Sequence, residues 1–170
     1  MNIFLIGYMG SGKSTVGKKL ATKLNRPFID LDQYLEKKEN RSIAEIFETE
    51  GEGKFREKER VYLQEICAQD NTIVALGGGT VCFFDNLKLI HSHGISIYLK
   101  ASVDTIFNRL KNAKTKRPLL EKFSSDEEFK EYISIHLSSR ETFYSQATYK
   151  VKAKNINVDE LVLFLIKEGC

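Results

Sequence analysis

The chain has 170 residues, 42% hydrophobic and 29% charged, with a formal net charge of +3. That length fits one domain with a sizeable core, and so small a charge without a basic stripe excludes a nucleic-acid partner. No apolar run is long enough to span a membrane, and Cys67, Cys82 and Cys170 are odd in number without C-x-x-C spacing, which excludes a disulfide framework or zinc site. Met1 leads directly into the first apolar run and leaves no room for a leader. The expectation is a cytoplasmic monomer whose cysteines are small buried hydrophobes.

Asn2 to Ile6 reads as a buried strand. Gly7-Tyr8-Met9-Gly10-Ser11-Gly12-Lys13-Ser14-Thr15 then fills every fixed position of G-x-x-x-x-G-K-[ST], and Val16, Leu20 and Leu24 continue at helical spacing. Strand, glycine loop and helix form a phosphate cradle: glycines admit the phosphates to backbone N–H groups, and the helix adds the positive end of its dipole. Gly10, Ser11, Gly12, Lys13, Ser14 and Thr15 are therefore expected to bind a nucleoside triphosphate, ATP by preference. Lys13 is placed on the β- and γ-phosphates and Ser14 on Mg²⁺.

Phe28 to Asp32 reads as a second strand. Alternation would set Asp30 and Asp32 on one face at its carboxyl end, one for the Mg²⁺ shell and one for a substrate hydroxyl, or simply as a polar strand end or helix cap. Tyr34 to Gln69 is helical in pieces, with a capping box at Ser42-x-x-Glu45 and a break at Gly51-Glu52-Gly53. Within it, Arg56 and Glu59 have the spacing of a surface ion pair. Thr72 to Leu76 is a third strand, and the run Gly77-Gly78-Gly79 after it suggests close approach of a ligand. That strand ends without an acid, so Asp30 becomes the candidate carboxylate for the metal. A helix over Phe84 to His93 carries His91 and His93 as a surface pair. Ile95 to Leu99 is a fourth strand, and Ser102 caps a helix through Arg109. Lys111 to Leu120 is basic and stopped by Pro118, either a solvated linker or a lid whose cation closes on the triphosphate. Ser125 caps a long helix carrying Arg140, Thr148 to Val151 is a fifth strand, and Val158 to Glu168 is a closing helix. Only seven of the 26 basic residues are arginine, so each arginine is a candidate for bidentate work on carboxylate or phosphate.

In order, Gly7 to Thr15, Asp30-x-Asp32, Gly51-Glu52-x-x-Phe55-Arg56-x-x-Glu59, Gly77-Gly78-Gly79 and Arg117-Pro118-Leu119-Leu120 resemble the shikimate kinase family along almost the whole chain. Arg140-Glu141-Thr142-Phe143-Tyr144 matches in part, with Thr142 where the family has a proline. The resemblance implies that Asp32, Arg56, Gly78, Gly79 and Arg140 hold shikimate, with Asp32 taking the acceptor proton. It places Phe47, Phe55 and Glu59 around that pocket, Arg117 as the lid cation, and Asp30 on Mg²⁺ through water. It sets Arg109 against adenine, although Lys154-Asn155-Ile156 lacks the proline of the family's adenine loop.

The expected fold is a three-layer α/β P-loop domain with a five-stranded parallel sheet, a helical substrate-binding insertion over residues 33–60 and a mobile lid over 112–124. The expected reaction is Mg·ATP-dependent phosphorylation of the 3-hydroxyl of shikimate, with Lys13, Asp32 and Arg117 catalytic. A kinase of another hydroxy acid such as gluconate would share the phosphate loop. A nucleotide switch is a rival from another class, but the chain has no guanine-reading Asn-Lys-x-Asp segment.

Overall fold

The computed structural model describes residues 1–112 and 123–170. Asn2–Ile6 (β1) leads into Lys13–Leu24 (α1) and Phe28–Asp30 (β2), followed by Leu31–Glu39 (α2) and Ile43–Cys67 (α3). Ile73–Ala75 (β3) is followed by a 3₁₀ turn at Thr80–Cys82, then Asn86–His93 (α4) and Gly94–Lys100 (β4). Val103–Lys111 (α5), Asp126–Tyr144 (α6), Tyr149–Lys152 (β5) and Val158–Lys167 (α7) complete the order. Five strands pair in parallel in the order β2–β3–β1–β4–β5. β1 is buried at every residue and has Ile3 opposite Ile73 and Ile95, and Leu5 opposite Ala75 and Ile97. Such unbroken burial belongs to a parallel strand covered on both faces.

Right-handed crossovers set which face each helix takes. The connection from β1 to β2 runs one way along the sheet, whereas those from β2, β3 and β4 run the other way. This puts α1 on one face and α3, α4 and α6 on the opposite one; α7 returns to pack on α1. The chain therefore leaves the neighbouring strands β1 and β3 toward opposite faces and opens a crevice at their carboxyl ends. The two glycine segments meet there. A smaller core of Leu35, Ile46 and Phe55 joins α2 to α3 beside it.

One expectation changes. β2 stops at Asp30, because the Asp30 carboxylate accepts the Gln33 N–H at 3.4 Å and starts a helix at Leu31. Asp32 thus lies in the first turn of α2, and the strand-alternation argument for pairing it with Asp30 does not apply. The break foreseen at Gly51 is present: Gly51 takes a non-helical, positive-φ backbone (φ 79°, ψ 171°) open to glycine, and the helical stretches on either side meet there at a kink. The capping box at Ser42 and Glu45 is present with both bonds. The segment foreseen as a lid falls almost wholly outside the described residues.

The start of β4 tests the register that holds β1. A Cβ on Gly94 would stand 2.1 Å from the Asn2 carbonyl oxygen, a backbone atom with nowhere to go. Gly94→Ala should cost about 1–3 kcal/mol in urea denaturation, and parental stability would show that the β1–β4 edge gives way freely.

Candidate active site

The phosphate loop is built on left-handed glycines, Gly10 at φ 76° and Gly12 at φ 99°. Ser11 N–H donates to the Tyr8 carbonyl at 3.1 Å and closes the loop, and Val16 N–H to Gly12 at 2.9 Å starts the α1 ladder. The buried Lys13 folds back over the loop and donates to the carbonyls of Gly7 (2.7 Å) and Tyr8 (3.0 Å). Among the described residues, Ser11 Oγ is buried without a hydrogen-bond partner, as expected of a group made for a ligand. Ser14 Oγ donates to Asp30 Oδ2 at 2.6 Å. Arg109 on α5 ties the loop to the β5–α7 connection through Gly10 O (3.1 Å), Ser11 O (2.7 Å) and Ala153 O (2.9 Å). An open groove of about 560 Å³ runs from Gly10–Val16 past Arg109 to Asn155, Ile156 and Val158.

Across the crevice, the backbone of Gly77–Gly79 threads a cluster of charges. A Cβ on Gly77 would lie 2.8 Å from Asp32 Oδ1, 2.9 Å from Glu59 Oε1 and 2.9 Å from Thr80 Oγ1. Glu59, only 1% exposed, accepts from Thr80 Oγ1 at 2.6 Å and from Arg56 Nη1 at 2.9 Å. Arg56 lies over the Phe83 ring at 4.2 Å, and its outer edge meets the exposed Glu52 carboxylate with Nε (3.3 Å) and Nη2 (3.1 Å). A guanidinium fork presented in this way suits a carboxylate ligand. From α6, Arg140 Nη1 donates to the Gly78 carbonyl at 3.2 Å, and the Tyr144 hydroxyl donates to the same oxygen.

These features match a known family. The family profile described as shikimate kinase covers residues 9–168. A shikimate kinase of Flavobacterium johnsoniae is 46% identical over 162 residues, 94% of either chain. The chain belongs to the shikimate kinase family. Its reaction is the ATP-dependent phosphorylation of shikimate. A crystal structure of the Bacteroides thetaiotaomicron shikimate kinase is 39% identical with a TM-score of 0.91, covering 99% of this chain and 97% of that one. The Acinetobacter baumannii shikimate kinase, solved in complex with shikimate, is 33% identical with a TM-score of 0.84, covering 98% and 91%.

The family's ordered segments meet in space. Asp32, Arg56, Gly78, Gly79 and Arg140 gather around one crevice, and Gly10 to Thr15 with Arg109 line the adjoining groove. Arg117 lies outside the described residues. Arg56 and Glu59, which have the spacing of a surface pair, are buried because the Gly77–Thr80 segment and Phe83 close over them. Phe55 is buried, whereas Phe47 is 37% exposed with its ring 4.6 Å from that of Phe55. Cys67 is buried, but Cys82 and Cys170 are only partly so. Ser14 with Asp30 is an oxygen-only pair with open positions, which fits Mg²⁺ surrounded by water and phosphate. His136, which no sequence motif marks, bonds Tyr8 and Arg140; its spacing one turn before Arg140 is the signal the sequence offers.

Burial, then the neighbouring carboxylates of Asp30 and Glu59, push Asp32 from its ordinary 3.8 to about 6, against the pull of Lys13. In the metal-free, ligand-free protein the folded state keeps a proton that the unfolded chain gives up between these values. That contribution to stability is complete below the unfolded value and is lost as pH rises through about 6. Asp32→Asn should therefore gain on the parent between about pH 4 and 7, by on the order of 2 kcal/mol at most. Urea midpoints across that range check this, and parallel pH curves would contradict it.

Proposed function

We propose that the two sides of the crevice hold shikimate and Mg·ATP with the 3-hydroxyl facing the γ-phosphate. The observation that carries this is the convergence of Asp32, Arg56 and Arg140 on Gly77–Gly79, directly across from the phosphate loop: a Cβ on Gly78 would lie 3.2 Å from Met9 N. Arg56 and Arg140 read the shikimate carboxylate, and Gly78 and Gly79 let it approach the backbone. Asp32 accepts the hydrogen bond of the reacting hydroxyl. As the oxygen–phosphorus bond forms and the bond to the β-phosphate breaks, the proton passes to Asp32.

Lys13 exchanges its loop carbonyls for the β- and γ-phosphates and neutralises the charge developing between them. Ser14 and, through water, Asp30 hold Mg²⁺, which supplies further neutralisation of the phosphate oxygens when bound. Arg109 forms the adenine side of the groove with Ala153, Asn155 and Ile156. Residues 33–60 act as the substrate-binding insertion, supported by their own small core. Arg117, outside the described residues, is the further cation on the phosphates. We read the protein as a cytoplasmic monomer without membrane or nucleic-acid partners.

ADP release with Mg·ATP and shikimate, gluconate or no acceptor tests the reading. Turnover should require shikimate. Asp32→Ala should lower kcat about 10²–10⁴-fold. Arg140→Lys should raise the shikimate KM about tenfold or more while leaving the ATP KM nearly unchanged. A shikimate KM unaffected by Arg140→Lys would remove Arg140 from the pocket.

A further inference from the structure

His136 sits on α6 one turn before Arg140, and both side chains face the phosphate loop. Its ring is held at both nitrogens. Nδ1 lies 3.1 Å from the Tyr8 hydroxyl and Nε2 lies 3.4 Å from Arg140 Nη2. The Tyr132 ring is 5.1 Å away on the same helix, and the Tyr8 ring meets the imidazole edge-on at 6.0 Å. Arg140 has its other terminal nitrogen on the Gly78 carbonyl at 3.2 Å and lies 5.5 Å from the centre of the Tyr8 ring. A guanidinium has no acceptor, so Nε2 must be the accepting nitrogen and the hydrogen must sit on Nδ1, donated to the Tyr8 oxygen. An imidazolium could not accept from Arg140.

We propose that neutral His136, as the Nδ1–H tautomer, is a positioning residue that aims Arg140 from the phosphate loop toward the shikimate carboxylate. The inference rests on the reading of Arg140 as a carboxylate ligand. It adds a link between the halves of the site, because Tyr8 belongs to the nucleotide loop and Arg140 to the acceptor pocket. The groups facing His136 favour its neutral form. Burial and the Arg140 cation hold its pKa below the ordinary histidine value, while Glu52 on α3 pulls the other way. Tyr8, pushed up to about 12 by burial and Tyr132, remains a neutral phenol. Protonating His136 removes the acceptor for Nη2 and sets a second cation beside Arg140, so the fork loses its aim.

The test compares the full-length parent with His136→Leu, which removes both ring contacts, and His136→Gln, which keeps an acceptor near Nε2 and cannot be protonated. At neutral pH, His136→Leu should raise the shikimate KM about five- to tenfold, with kcat and the ATP KM nearly unchanged, and His136→Gln should stay near the parent. As pH falls below the ordinary histidine value the parent's shikimate KM should climb relative to that of His136→Gln; Asp32 titrates in both proteins, so the difference belongs to His136. Ring ¹⁵N NMR of the parent should show the Nδ1–H tautomer. An Nε2–H tautomer would overturn the proposal, as would equal losses against both substrates in His136→Leu, which mark a merely structural role. If Arg140→Lys raises the shikimate KM while His136→Leu does not, the positioning role fails and the carboxylate reading survives. If Arg140→Lys has no effect, the carboxylate reading fails and takes the positioning role with it.

Discussion

The passage of Gly77–Gly79 between two sets of side chains is the constraint on which the rest of the site depends. Carboxylate and hydroxyl oxygens of Asp32, Glu59 and Thr80 press on the first glycine, the phosphate-loop backbone on the second, and the Arg56 guanidinium, 2.7 Å from a Cβ, on the third. Side chains at these positions would crowd those groups and push them out of their present arrangement. The sheet order delivers the segment there, because β3 lies next to β1 and exits toward the opposite face. Ordering three glycines costs backbone entropy, and the close approach of charged groups is what that cost permits.

Those groups are partly withdrawn from water, and the arrangement limits the penalty by pairing them. Glu59 is satisfied by Arg56 and Thr80, and Arg56 is also stacked on Phe83. Buried ion pairs seldom add net stability, but removing one partner is costly because the other charge is stranded. The cluster is therefore better understood as a rigid mount than as a source of stability. Asp32 carries the remaining strain, with its charge opposed by burial and by the neighbouring carboxylates of Asp30, Glu59 and Glu36. A carboxylate held in this way is a stronger proton acceptor than one in open solvent.

How much of this the sequence could reveal depended on how local each interaction was. The phosphate loop was legible because its motif is written in consecutive residues, and β1, β3 and β4 were legible because buried parallel strands are largely apolar runs. Asp30 and Asp32 were recognised as a pair for the wrong geometric reason: a side-chain cap at Asp30 ended the strand two residues early. The burial of Arg56 and Glu59 depends on a segment some twenty residues away and leaves no mark on their own spacing. Arginine scarcity was a useful but blunt guide, since Arg41 and Arg60 spend their forks on Glu39, Glu50, Asp85 and Asn86 of the same chain. His136 needed the contact between α6 and the phosphate loop before its role could be read at all.

Gly79→Ala tests the central claim, that a glycine-only passage sets the aim of the acceptor-side arginine, most directly. The added methyl falls on the Arg56 guanidinium, 2.7 Å from Nη2 and 3.0 Å from Nη1, a side-chain end that can be displaced without moving backbone. The shikimate KM should rise about tenfold or more, while the ATP KM and thermal stability stay close to the parent. An unchanged shikimate KM, or equal losses for both substrates, would contradict the account.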